Sequence, residues 1–341
     1  MNWLSHVATW GVQRINSSAP RLNSVLVAGL AALALSAGVA MAQTWPAKPI
    51  RVISTFGPGS VAEINMRLVL ARASESIGQP FVMDARAGAG GIVGADLVMR
   101  AAPDGYTILY ANSSTLITAP LLMVKKPFEA KDFTPIMLVY EGITCFTVNA
   151  SLPMNTMKEL LDHIARYPGK LAYGHNGIGG NYHLTMELIK QQLGLDITGI
   201  PYKGGTAALL DTVTGTIPMS FTATATADPF VKSGKIKMLA VIDNKRHPDY
   251  PNVPALAEAV PNFEKLPTAL SLFGPAGLPP AIVTRLHGEL TKALHVPEIR
   301  SKNRDAGFYA VERSPADFAA QLKRDVELSQ RAIKAAGLKP E

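Results

Sequence analysis

Phe56-Gly57-Pro58-Gly59-Ser60 is the stretch of this chain best suited to chemistry. A short apolar run, Ile50 to Thr55, precedes it, and an amphipathic helix follows with Val61, Ile64, Leu68 and Ala71 on one face. A strand, turn and helix in that order present main-chain N–H groups at a helix N-terminus, where the dipole favours an anion. The same residues match G-x-G-x-x-A through Ala62, and Asp84 closes the next strand, so a dinucleotide fingerprint has to be weighed. Pro58 argues against it, because it removes an N–H from the middle of the pyrophosphate cradle. A generic anion-holding turn is the better reading.

Four further clusters stand at strand ends. Gly88-Ala89-Gly90-Gly91 opens a second helix, either as a tight connection or as a ligand contact, and Val93 stands where a dinucleotide motif needs its last glycine. Asn112-Ser113-Ser114-Thr115 places amides and hydroxyls at the C-terminal end of a strand, the side on which α/β sheets bind ligands, although helix capping uses the same residues. His175 to His183 contains another glycine turn, with Gly179, Gly180, Asn181 and His183 leading into a helix. His175 and His183 lack an Asp, Glu or Cys to complete a metal set, and H-E-x-x-H is absent, so no metal is expected and His183 is read as a brace for its loop. Pro201-Tyr202-Lys203-Gly204-Gly205 ends one strand and starts one helix, and Lys203 is suited either to an acid or to solvent. No G-x-S-x-G elbow, P-loop or Ser/His/Asp arrangement occurs, so no catalytic residue and no cofactor are expected.

The elements that position these clusters alternate between strand and helix from Gln43 onward, which predicts an α/β protein with parallel strands. Strands are expected at 50–55, 81–84, 107–111, 135–140 and 144–148, then at 171–173, 197–200, 217–221, 237–242 and 270–273. Thr156 and Glu159 form a capping box ahead of Leu160, Leu161 and Ile164, and Ser314-Pro315 starts the last helix. Residues 1–42 read as an export signal: Arg14 and Arg21, an apolar core from Leu26 to Leu35, and Ala40-Met41-Ala42 before Gln43. Cleavage after Ala42 leaves about 300 residues, enough for two domains. The formal net charge of +7 is scattered rather than striped with aromatics, which argues against nucleic acid. Cys145, the single cysteine, lies in an apolar run and is expected to be a buried strand residue.

Taken in order, Trp45-Pro46-Ala47-Lys48-Pro49-Ile50-Arg51, Phe56-Gly57-Pro58-Gly59, Arg86-Ala87-Gly88-Ala89-Gly90-Gly91 and Ala101-Ala102-Pro103-Asp104-Gly105-Tyr106-Thr107 resemble the receptors of tripartite tricarboxylate transporters, the TctC or Bug family. Lys131-Asp132-Phe133, Pro201-Tyr202-Lys203-Gly204 and Phe273-Gly274-Pro275-Ala276-Gly277 extend the resemblance over Trp45 to Gly337. It implies a two-lobed, type II-like periplasmic-binding-protein fold, each lobe a mostly parallel sheet flanked by helices. Lobe 1 would be 43–143 with 267–341, and lobe 2 would be 144–266. It implies a non-catalytic periplasmic receptor, a monomer, that closes on a small carboxylate and hands it to membrane permease subunits. Carried over, Phe56, Gly57, Pro58, Gly59 and Ser60 would hold one carboxylate. Gly179, Gly180, Asn181 and His183 would hold the other end, with Lys203 and Gly204 alongside. Gly90, Gly91, Asn112, Ser113 and Thr222 complete the expected contacts.

The chain departs from the family pattern at Ser60, at Glu63, at Asn181-Tyr182 and at Thr222, where aspartate is frequent. Without that acid a cationic amine loses its partner, so a dicarboxylate or an aromatic acid is expected. The competing reading is an exported α/β hydrolase acting on a small acid.

Overall fold

The computed structural model describes residues 45–340, so the export-signal expectation for 1–42 lies outside the described residues. Strands β1 (Ile50–Ser54), β2 (Phe81–Ala85), β3 (Thr107–Asn112) and β4 (Phe133–Gly142) belong to one sheet. The chain then leaves it: β5 (Thr144–Asn149), β6 (Ala172–His175), β7 (Thr198–Pro201), β8 (Met219–Ala223) and β9 (Ile236–Val241) form a second sheet in the order β7-β6-β8-β5-β9. Strands β10 (Ala269–Pro275) and β11 (Phe308–Ala310) return to the first, whose order is β11-β4-β10-β3-β1-β2.

Helices α1 (Val61–Ile77), α2 (Ile92–Met99), α3 (Met157–Arg166), α4 (Asn181–Leu193), α5 (Gly205–Thr214) and α6 (Thr224–Lys232) precede the return. Helices α7 (Pro280–Leu294), α8 (Pro297–Asp305) and α9 (Pro315–Ala335) follow it. Both sheets are flanked by helices, as the α/β expectation requires.

The expectation of mostly parallel sheets is corrected. In the first sheet β1 pairs in parallel with β2 and β3, but β10 runs antiparallel to β3 and β4, and β11 antiparallel to β4. In the second, β6 is parallel to β7 and β8, while β5 is antiparallel to β8 and β9. The cause is connectivity. Parallel pairs come from βαβ units within one sheet, whereas β5 and β10 are the strands by which the chain enters a sheet from the other one.

Each sheet carries its own core. Ile53, Leu109, Leu138 and Phe273 pack with Val98 and Phe318 on the first, and Phe146, Tyr173, Met219 and Phe221 with Leu160 and Ile189 on the second. The Phe146 and Phe221 rings meet edge to face with centroids 4.6 Å apart. Cys145 is buried beside Leu209, Ala227 and Ile236, and burial pushes its thiol up, away from reactivity.

The two crossings are pinned by charge. Lys265, on the returning connection, reaches Asp243 Oδ2 at 2.7 Å and Glu141 Oε2, at the end of β4, at 3.3 Å. Helix α9 spans both halves. Its Phe318, Leu322 and Val326 join the first core, whereas Leu328, Ala332 and Ile333 pack with Leu184 and Leu266. No helix among the described residues is long and apolar enough to cross a membrane.

Candidate functional site

The turn after β1 is built from its neighbours. Thr55 N–H donates to Tyr110 O at 3.0 Å, the Phe56 and Tyr110 rings lie 5.2 Å apart, and the Tyr110 hydroxyl donates to Ala62 O at 3.2 Å. Ser60 caps α1 by accepting from Glu63 N–H at 3.3 Å. The sequence suggests that the amides of this turn point as a group at an anion, and the structure narrows that set. Phe56 N–H donates to Ser54 Oγ, Ser60 N–H to Gly57 O, and Gly59 N–H to the Glu63 carboxylate at 2.6 Å. The main-chain N–H groups of Gly57, Val61 and Ala62 make no hydrogen bond among the described residues. These three, not Gly59 or Ser60, are the open donors.

Glu63 is thus the turn's internal anion. Burial works to raise its carboxyl, but the Gly59 N–H and the Arg67 guanidinium at 2.5 Å outweigh it and hold it below the usual carboxylate range. The sequence marked Glu63 as a departure from the family pattern, and its placement in the first turn is favourable for the helix dipole.

The turns after β2 and β3 are locked to the first. Arg86 N–H donates to Ser54 O at 2.7 Å, and Thr115 Oγ1 donates to Gly90 O at 2.8 Å. A Cβ on Gly91 would lie 2.6 Å from Thr115 Oγ1 and 2.9 Å from the Thr55 Cβ, so only glycine fits there. Asn112 Oδ1 accepts from Ser114 Oγ and Thr115 N–H, both at 2.8 Å. It caps a π-helical turn, Ser114–Thr118, a form enriched at functional sites. Ser113, expected at a ligand contact, is buried, and its hydroxyl is used twice on Ala269, donating to O at 3.1 Å and accepting from N–H at 3.2 Å.

In the second half, His175, the 177–183 turn, Lys203-Gly204 and Thr222 gather at one end of the sheet. Tyr202 N–H donates to His175 O at 2.9 Å, and His175 Nδ1 bonds Gly177 O at 3.0 Å. His183 Nδ1 accepts from Gly179 N–H at 3.2 Å, and the two imidazoles stack at 4.5 Å. His183 therefore braces the loop, as the sequence suggests. Burial lowers the pKa of both rings, which keeps them neutral. Asn176 Oδ1, which the sequence reading did not single out, accepts from Tyr182 N–H at 3.2 Å in place of a cap.

The open amides here are those of Asn181 and His183 on α4 and of Gly205, Thr206 and Ala207 on α5. Between the two helix starts lies Tyr182, whose ring stacks on Phe221 at 5.7 Å. A Cβ on Gly205 would sit 2.8 Å from Tyr182 Cε2 and 3.0 Å from Phe221 O. Lys203 is exposed and makes no hydrogen bond or ion pair among the described residues. Thr222 is buried in β8. No group of three His, Cys, Asp or Glu side chains suited to a metal occurs among the described residues.

The halves meet beside these turns. A Cβ on Gly179 would overlap Leu122, which follows the π-helical turn, and Asn181 Nδ2 donates to Pro267 O at 2.6 Å.

Two helix-flanked sheets, joined by crossings and meeting at glycine turns, define a two-lobed solute-binding receptor. Residues 65–338 match the TctC model, described as the tripartite tricarboxylate transporter family receptor, and the chain belongs to that family. It is similar to BugT of Bordetella pertussis, 31% identical over 277 residues that cover 80% of this chain and 84% of BugT. Among solved structures, an R. palustris protein with adipate is 30% identical with a TM-score of 0.71, over 87% of this chain and 100% of that one. MatC from Rhodopseudomonas palustris with bound malate is 26% identical with a TM-score of 0.67, over 85% of this chain and 100% of that one. Membership in a receptor family overturns the hydrolase reading.

Proposed function

We propose that this receptor captures a small carboxylate between its two lobes outside the cytoplasm and delivers it to the membrane subunits of a tripartite tricarboxylate-type transporter. The observation that carries the reading is the set of unbonded N–H groups at helix starts on both lobes. Gly57, Val61 and Ala62 supply one set, and Asn181, His183 and Gly205 to Ala207 the other. Such donors suit carboxylate oxygens and need no counter-charge beyond Lys203. Phe56, Pro58, Gly59, Ser60, Gly90, Gly91, Asn112, Gly180 and Gly204 shape the walls. Sheet membership supports lobes of 43–143 with 267–341 and of 144–266. The receptor acts as a monomer, exported by cleavage between Ala42 and Gln43, on the sequence reading alone.

Thr222 stands where an acid would meet an ammonium group, so the ligand carries no amine. The adipate and malate complexes of relatives agree with a dicarboxylate. Thermal-shift screening of dicarboxylates, aromatic acids and amino acids against the mature protein tests this. A true ligand at a hundredfold excess over Kd adds about 2.7 kcal/mol, or about 4 °C for a chain of this size. Stabilisation by amino acids alone would refute the specificity, and no response to any acid would refute the function.

A further inference from the structure

The turn that leads to the second-lobe amides is pinned by two imidazoles. His175, at the end of β6, bonds Gly177 O through Nδ1 at 3.0 Å, and a carbonyl can only accept, so that nitrogen carries the proton. His183, in the first turn of α4, meets the Gly179 N–H with Nδ1 at 3.2 Å. A main-chain N–H can only donate, so His183 Nδ1 is bare and the proton of its neutral ring sits on Nε2. The two rings are thus opposite tautomers, stacked 4.5 Å apart at 24°. The turn has few other ties. Gly180 N–H returns to Gly177 O at 3.1 Å, Tyr182 N–H reaches Asn176 Oδ1, and Ile178 is 69% exposed. The open N–H groups of Asn181 and His183 follow at once, so their aim depends on this turn.

The surroundings decide which ring takes a second proton. On β6, Tyr173 lies 5.5 Å from the His175 ring and donates its hydroxyl to Glu187 Oε1 at 3.4 Å. On β7, a Cβ on Gly199 would sit 3.2 Å from His175 Nε2, and His175 is 1% exposed, so that nitrogen is walled off from water. His183 Nε2 instead faces Glu187 Oε1 on α4 at 3.9 Å, and Lys190 Nζ meets the same oxygen at 2.7 Å. The first lobe reaches the turn with Leu122 and Leu338, which carry no charge. His183 is therefore the ring with a carboxylate beside it. Charging it places a proton on Nδ1, and two donors then face each other at 3.2 Å, a contact that has to open. The new positive charge lies against Glu187 and offers the cleft no compensating attraction.

We infer that His183 is a proton-operated latch on the second-lobe turn: with Nδ1 bare the turn is held and its amides are set for the ligand, and with Nδ1 protonated the Gly179 N–H is released and the ligand is let go. This deepens, and rests on, the reading of that turn as part of the ligand site. The sign follows from the proton count. Burial holds the latched ring below the usual imidazole range, with Glu187 acting upward and Lys190 downward, whereas a released ring returns to about 6.5. The held state binds fewer protons, so it is complete above about pH 6.5 and is lost as pH falls below that value.

Adipate is the probe, in calorimetric titrations of the mature protein from about pH 8 to about pH 5, where carboxylates with an ordinary pKa near 4.3 stay mostly ionised. The wild type should hold its affinity above about pH 7 and lose about fivefold or more by about pH 5, with a limiting slope of about tenfold per pH unit for one proton. His183→Asn keeps an acceptor oxygen near the Gly179 N–H but cannot titrate, so its pH profile should be flat, whatever its affinity. Glu187→Gln removes the charge that favours the imidazolium, so its fall should begin at lower pH than in the wild type. Amide exchange followed by NMR on the ligand-free protein supplies an arm that needs no ligand: protection of the Gly179 N–H should drop over the same range in the wild type and not in His183→Asn. If adipate binds at no pH, the dicarboxylate reading fails by itself, and Gly179 protection alone decides the latch. The inference is overturned if that protection does not change on acidification, if His183→Asn keeps the wild-type fall in affinity, or if affinity rises as the pH is lowered.

Discussion

Asp325 offers a quantitative test of how α9 sits against the crossing strands. Its carboxyl is pushed up to about 6, first by burial and then by the negative charge of Glu141 on β4; Arg324, Gln321 and Arg313 act in the opposite sense. A carboxyl raised above its unfolded value of about 3.9 favours folding when protonated. That contribution is complete below about pH 4 and is lost as pH rises through about 6. A shift of about two units is worth at most about 3 kcal/mol, and partial solvent access reduces this to about 2 kcal/mol. Urea unfolding of the wild type and of Asp325→Asn, run from about pH 4.5 to 7.5, isolates the group. The variant should gain about 2 kcal/mol on the wild type between about pH 4.5 and 6, and nothing further above about 6. A stability difference that stays flat with pH, or one that favours the wild type at neutral pH, would refute the reasoning. It would mean that Asp325 is solvated and that α9 lies further from Glu141.

Lys265→Met leaves Glu141 and Asp243 facing each other without their cation, and both carboxylates are partly solvated, so a loss of about 1–3 kcal/mol is expected in urea unfolding; an unchanged midpoint would show that the crossings are not pinned there. Gly179→Ala places an alanine at φ +72°, costing about 1–2 kcal/mol plus displacement of Leu122, and Leu122→Ala in the same chain should recover only the second part. Equal stability of Gly179→Ala and wild type would disprove the packed turn. Lys203→Gln should weaken a dicarboxylate ligand by about 3- to 10-fold at low salt and hardly at all at high salt; a salt-independent effect would argue that Lys203 shapes the loop rather than attracting the anion.

Much of this architecture is legible in the residues. The capping box at Thr156 forms as expected, with Glu159 N–H donating to Thr156 Oγ1 at 3.1 Å, and Ser314 caps α9 by accepting from Asp317 N–H at 3.1 Å. These signals are local, so a sequence carries them directly. Three elements escape local reading. Helix α6 holds Pro229 in its interior within a threonine- and alanine-rich run, and burial of Thr224 and Ala227 overrides that weak propensity. Strand β11 is three residues long, too short to show a period. The mixed sheets arise because Thr144 and Ala269 begin strands that enter from the opposite lobe, a long-range fact that no window of residues contains.

The candidate site was legible as a set of turns but not as a set of donors. Glycine and proline spacing locates the turns, yet which N–H stays open depends on side chains arriving from elsewhere. Glu63 takes the Gly59 amide and Ala269 takes the Ser113 hydroxyl. The Tyr182 ring against Gly205 likewise needs two helix starts brought side by side.

Helix α9 is anchored at its beginning in one core and at its end in the other. Helix α9 is therefore a splint laid across the join between the two cores. If the proposed closure on a ligand takes place, a bulky affinity tag after Leu338 should hinder it, and a small fluorophore at the same position should report it.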